Sequence, residues 1–153
     1  MKTFSIRCSN TDFTYAVIDG DKSSPKVLEQ AKVNFPKNFS EGEKLHWFNQ
    51  EINTLIQQHS PESVVLKGAE PLAKRSKSLD ERLHVESVVI MTAGANGIKN
   101  CTKKVKSTIA KDLGLKGKGK YLQTKLDTSV IDDFDSYNTK AQEAILAGWS
   151  SLN

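Results

Sequence analysis

Lysine is the side chain whose type and spacing point most directly to chemistry in this chain of 153 residues. Between Lys99 and Lys125 stand nine lysines and a single acid, Asp112, so a segment of charge +8 sits in a chain of net charge +4. The rest is therefore net negative, and the cation density is local. Ammonium and guanidinium groups in such a run neutralise phosphates in a way that is salt-sensitive and largely independent of base sequence. The candidates for that role are Lys74, Arg75, Lys77, Lys103, Lys104, Lys106, Lys116, Lys118 and Lys120. Against this stands the plainer role of lysine in keeping a helical surface in water.

Other reactive residues form weaker constellations. His46, His59 and His84 are widely spaced, with no Cys or Asp at metal-ligand spacing, and are expected at the surface. There is no GxSxG elbow and no GxxxxGK[ST] phosphate loop. The glycine and lysine loop at 114–120 could bring backbone amides to a phosphate, but no buried strand precedes it. Cys8 and Cys101 make no CxxC pair and are expected as free thiols, Cys8 buried in the first strand. Trp47 and Trp149 could stack on bases, yet both adjoin apolar helical stripes and are expected to pack in a core or a dimer.

The elements that must position these groups are legible in the periodicity. Phe4 and Ile6, then Phe13, Tyr15 and Val17, alternate with polar residues around Ser9-Asn10-Thr11-Asp12, which predicts a β-hairpin over 2–19. A loop at 20–25 leads to a third strand at 26–35, so the opening is an antiparallel meander. Ser40-Glu41-Gly42-Glu43 is a capping box. Leu45, Phe48, Ile52, Leu55 and Ile56 follow at helical spacing, giving a helix over 41–59. Pro61 closes it, and 62–68 is a short buried strand reached by a crossover, hence parallel to the first.

A second capping box, Ser78-Leu79-Asp80-Glu81, predicts a helix to about residue 93 whose apolar second half, Val85 to Met91, is buried between other elements. A strand at 98–102, a lysine-rich helix at 104–113, a loop at 114–119, one or two helical turns at 120–126, an acidic loop at 127–135 and a closing helix at 137–152 complete the chain. Hydrophobic residues make up 37% and charged residues 26%, ordinary for one domain spanning 1–153. No apolar run is long enough to span a bilayer, and the first residues enter a strand directly, so a cytoplasmic protein with no membrane partner is expected.

Three antiparallel strands, a helix, a parallel strand and then helices with short strands is an order that resembles the ribonuclease H fold, in its RuvC-like, Holliday-junction resolvase branch. The resemblance rests on Phe4-Ser5-Ile6 through Tyr15-Ala16-Val17-Ile18, on Ser63-Val64-Val65-Leu66, and on the helix that follows a basic loop. Val105-Lys106, Gly117-Lys118-Gly119 downstream and the closing helix from Ala141 to Trp149 extend it over nearly the whole chain. The chain also looks like small bacterial proteins of this shape that lack the usual catalytic carboxylates. The fold it implies is α/β: a mixed sheet, an antiparallel meander plus parallel strands, flanked by helices.

The family's chemistry uses carboxylates to hold two Mg²⁺ ions that activate water and stabilise a leaving oxygen of a phosphodiester. The resemblance puts the first acid at Arg7 or Cys8, the second at Lys67, and the last two at Lys140 and Glu143. Only Glu143 is acidic. Relocated acids Glu70, Asp133, Asp135 and Glu143 are the alternative set. If Arg7, Lys67 and Glu143 share the old pocket, Glu143 should pair with one of the two cations, since an unpaired buried charge is costly. The leading expectation is a catalytically degenerate nucleic-acid-binding or accessory protein without a cofactor or metal. The alternatives are a protein-interaction module or homodimer, and a Mg²⁺-dependent nuclease using relocated carboxylates.

Overall fold

The computed structural model describes residues 1–116 and 122–153. The opening meander is β1 (Lys2–Cys8), β2 (Asp12–Asp21) and β3 (Ser24–Asn34). After α1 (Glu41–His59), β4 (Ser63–Lys67) returns beside β1, and after α2 (Lys77–Ala95), β5 (Asn100–Lys104) returns beside β4. The helices α3 (Lys106–Asp112), α4 (Leu122–Lys125) and α5 (Thr139–Ser150) follow, with a 3-10 turn at Phe134–Ser136. The sheet order is β3-β2-β1-β4-β5, with β1–β2 and β2–β3 antiparallel and β1–β4 and β4–β5 parallel.

Alternation along the strands divides the side chains between two cores, because successive residues point to opposite faces. Phe4, Ile6, Cys8, Phe13, Tyr15, Val64 and Leu66 join one buried cluster with α1 and α2. Ala16, Ile18 and Val65 join the other, under α5, with Ile145, Leu146 and Trp149. β4 is buried at every position, as a parallel strand covered on both faces must be.

The capping box at α1 is present: Glu43 N–H donates to Ser40 Oγ at 3.3 Å, and Ser40 N–H to the Glu43 carboxylate at 3.2 Å. Phe48, Ile52 and Ile56 lie on the buried face of that helix, each worth about 1.5–3 kcal/mol of burial. Phe13, Phe35, Trp47 and Phe48 form an aromatic cluster beneath its first half. Trp149 is 6% exposed and donates Nε1–H to the Lys22 carbonyl at 2.9 Å. Both tryptophans are thus packing residues.

Several boundaries differ from the sequence reading. The expected loop at 20–25 is a two-residue turn, tightened by Asp21 Oδ1 accepting from Ser23 and Ser24 N–H. The second capping box is unused: Ser76 caps α2 by accepting from Leu79 N–H at 3.1 Å, which places Ser78 inside the first turn. β5 lies two residues later than expected because its register is set by pairing Ser63 with Asn100 through Lys67 with Lys104. α3 begins at Lys106, and α5 at Thr139, where Asn138 Oδ1 caps Ala141 N–H.

The second half of α2 is buried only along Val85, Glu86, Val88, Val89, Thr92 and Ala93. Ile90 and Met91 are about half exposed, a correction to the expectation of a helix enclosed on all sides. His59 also departs from its expected surface position, because Glu29 on β3 holds it: Nε2 lies 2.7 Å from Glu29 Oε2 and the ring is mostly buried. His46 and His84 are exposed. The expected loop at 114–119 and turns at 120–126 fall partly outside the described residues.

Candidate functional site

The site sits where β1 and β4 end and α5 begins. Arg7, next to last in β1, points to the α5 side of the sheet, while its neighbour Cys8 points to the α1 and α2 side. Arg7 Nε donates to Glu143 Oε2 at 2.9 Å, so the pairing expected of Glu143 is found. Arg7 Nη1 donates to the Cys8 carbonyl at 2.9 Å, and Lys106 Nζ stands 3.9 Å from Glu143 Oε1. Lys67, at the end of β4, is 3% exposed and meets both the Gly68 carbonyl at 2.7 Å and Glu70 at 2.9 Å. Lys140, at the start of α5, reaches both oxygens of Asp12 at 3.1 and 3.2 Å.

Each acid here is committed to a cation. Burial works to raise the Glu70 carboxyl, but the Lys67 ammonium, the Lys106 backbone N–H and the charge of both lysines hold it below the usual carboxylate range. Asp12 likewise lies low, because Lys140 and the Thr11 hydroxyl outweigh its burial. An intact ion pair is the arrangement that makes buried charges tolerable.

A second charged group lies on the opposite face of the sheet, and the sequence reading missed it. Glu86 on α2 is 1% exposed, with Arg82 Nε 3.0 Å away and the Lys103 ammonium in close contact. Arg82 Nη2 also donates to the Lys67 carbonyl at 3.1 Å, joining this group to the end of β4. Burial, and then the Glu86 charge, push the Cys8 thiol far up, with Arg82, Arg7 and Lys103 opposing. The available signal was an acid at i+4 from Arg82 inside the apolar run from Val85 to Val89, which only a buried counter-cation explains.

The proposed phosphate contacts are not all on one surface. Lys74, Arg75 and Lys77 are exposed around the start of α2, with only loose pairs from Arg75 to Asp80 and from Lys77 to Glu81. Lys116 is exposed. Lys103 is engaged with Glu86, and Lys104 turns inward to Asp112 at 2.9 Å and the Ser150 carbonyl at 3.1 Å. Lys118 and Lys120 lie outside the described residues.

The relocated acids separate as well. Glu70 and Glu143 flank Lys106, whereas Asp133 and Asp135 line another cavity, of about 530 Å³, with Leu126 and Ser129. Magnesium requires several free oxygen ligands. Asp12, Glu70 and Glu143 each pair with a cation, and Arg7, Lys67 and Lys140 stand where the resemblance calls for carboxylates, so the donor set does not fit the metal pair that the resemblance implies. Among the described residues no group of three His, Cys, Asp or Glu could hold a metal ion. Among them, too, no helix is long and apolar enough to cross a membrane.

RuvC of Thermus thermophilus in complex with a Holliday junction substrate superposes with a TM-score of 0.76 at 11% identity, covering 98% of this chain and 91% of that one. The chain has a RuvC-like ribonuclease H fold. A second structure of Thermus thermophilus RuvC gives the same TM-score at 10% identity, over 98% and 92% of the two chains. The yeast mitochondrial Holliday junction resolvase Ydc2 gives 0.61 at 14% identity, over 97% and 77%. No protein-family model and no curated protein matches the sequence. At such identities the RuvC-like likeness is one of fold, and function must be argued from the site.

Proposed function

We propose that this chain binds nucleic acid through its phosphate backbone and does not cleave it, as a catalytically degenerate or accessory member of the RuvC-like fold. The observation that carries this reading is the cluster of Arg7, Lys67, Lys106 and Lys140 at one end of the sheet, with Asp12, Glu70 and Glu143 as its carboxylates. Cations where the resemblance calls for metal ligands repel Mg²⁺ and attract phosphate. Lys74, Arg75 and Lys77 extend the positive surface, and Leu72, almost fully exposed beside them, offers an apolar side chain for contact with a base. That one protein of this fold is seen with a Holliday junction substrate supports nucleic acid as the ligand class.

The test is a titration of labelled single-stranded, duplex and four-way-junction DNA at several salt concentrations, with and without Mg²⁺, scoring binding and cleavage together. Binding without cleavage is expected. Its logarithmic salt slope should flatten by about 0.9 for each duplex phosphate contact removed when Lys74, Arg75 and Lys77 become Gln. Absence of binding at low salt overturns the reading. Mg²⁺-dependent cleavage that disappears in Glu143→Gln would favour the nuclease instead.

A second reading, a protein-interaction module or homodimer, has one observation in its favour. Leu83, Ile90 and Met91 leave an exposed apolar stripe on α2, of the kind that marks partner surfaces.

A further inference from the structure

The acids at the ends of β1 and β4 are not held equally. Asp12 is 5% exposed and receives Lys140 on both oxygens. Glu70 receives Lys67 at 2.9 Å and the Lys106 backbone N–H at 3.1 Å. Glu143 has one hydrogen bond, from Arg7 Nε, and Lys106 Nζ at 3.9 Å is too distant for a second. It is the least secured of the three.

Its partners have capacity to spare. Arg7 uses Nε and Nη1, and Nη2 has no partner among the described residues. The side chains of Arg7, Lys106 and Glu143 are 18%, 29% and 11% exposed, so solvent reaches the group without flooding it. A phosphodiester carries one negative charge on two non-bridging oxygens and suits a guanidinium fork better than it suits a lone ammonium. Replacing the Glu143 carboxylate by such a phosphate would leave the charge balance around Arg7 and Lys106 unchanged.

We propose that Arg7 and Lys106 form a phosphodiester subsite that Glu143 occupies as an internal counter-ion, and that a nucleic-acid phosphate enters by displacing it. The proposal rests on the nucleic-acid reading above and adds to it a built-in competitor. Loss of the Glu143 charge must then strengthen binding, whereas loss of a metal ligand would not.

The experiment measures affinity and salt slope for a labelled DNA duplex with wild type, Glu143→Gln, Arg7→Gln/Glu143→Gln and Asp132→Asn. Asp132 is exposed and takes part in none of these ion pairs, so its variant reports the effect of one lost negative charge alone. Glu143→Gln should bind about 5-fold tighter, with a salt slope steeper by about 0.9 from the added phosphate contact. The double variant, which removes the guanidinium with its counter-ion and leaves only the Lys106 ammonium in the subsite, should lose most of that gain, and Asp132→Asn should show little of it. Unchanged or weaker binding by Glu143→Gln, an equal gain in Asp132→Asn, or a gain that survives in the double variant overturns the counter-ion role while the binding reading stands. If neither wild type nor Glu143→Gln binds at low salt, both fall.

Discussion

Lys140 and Asp12 join the start of α5 to the start of β2 across 128 residues of chain, the ammonium within 3.2 Å of both carboxylate oxygens. The pair fixes the helix that covers one face of the sheet to β2, the strand between β3 and β1.

That relationship sets an acid sensitivity. The Asp12 carboxyl is held below its ordinary range, so in the folded chain it takes up a proton less readily than in the unfolded chain. The stabilisation is complete above the unfolded pKa of about 3.9 and is lost as pH falls through the lower, folded value. Asp12→Asn should cost about 1 kcal/mol at neutral pH. In urea denaturation, the difference from wild type should shrink as the pH is taken below the ordinary carboxylate range.

Glu86 should be worth more, because its removal leaves Arg82 and Lys103 without their shared counter-ion beside a fully buried position. Breaking such a group costs about 3 kcal/mol. Urea melts of Glu86→Ala should show an unchanged slope and a midpoint lowered so that slope times shift equals that loss. A loss under 1 kcal/mol would mean that the cations find water at little cost.

Gly148 marks the closest approach of α5 to the sheet. A Cβ there would stand 2.6 Å from Ile18 Cγ1 and 2.8 Å from Ser5 Oγ. Ala improves helix propensity by about 1 kcal/mol, while overpacking costs about 1–3 kcal/mol. Both opposing atoms belong to side chains on buried strands, so the cost should win. Gly148→Ala should therefore lower the melting temperature, and a rise would show that α5 has room to shift.

The two thiols should differ in reactivity. Cys8 is fully buried and its thiolate is disfavoured by that burial and by Glu86, whereas Cys101 on the edge strand is half-buried. A thiol-titration reagent should modify one cysteine in the native protein and the second only on unfolding. Equal native rates would contradict the burial of Cys8.

The meander, α1, β4 and α5 were legible because their apolar residues repeat at 2 or at 3.6 and their ends carry turn or cap residues, as at Ser40 and Pro61. β5 lies two residues later than the sequence pattern suggests because Lys103 and Lys104 have little strand propensity, and only pairing with β4 makes them extended. The nine lysines read as one basic segment, yet among the described residues the structure separates those that face outward from those that meet Glu86, Asp112 and Glu143, since partners 8 to 37 residues away leave no local trace. Arg7 and Glu143 were found through the fold resemblance. Glu86 and Asp12 were not: Arg82 at i−4 marks one partner of Glu86, but nothing near either acid in the sequence points to Lys103 or Lys140.

Arg7 and Cys8 are adjacent in the central strand and belong to opposite faces, one to an ion pair and the other to an apolar core. A single-residue slip of β1 between β2 and β4 would drive a guanidinium among Phe13, Tyr15 and Leu66 and leave Glu143 facing a thiol. The apolar alternation already opposes such a slip. The charges at the end of the strand oppose it again, so the alignment of the whole sheet is specified by two independent kinds of penalty.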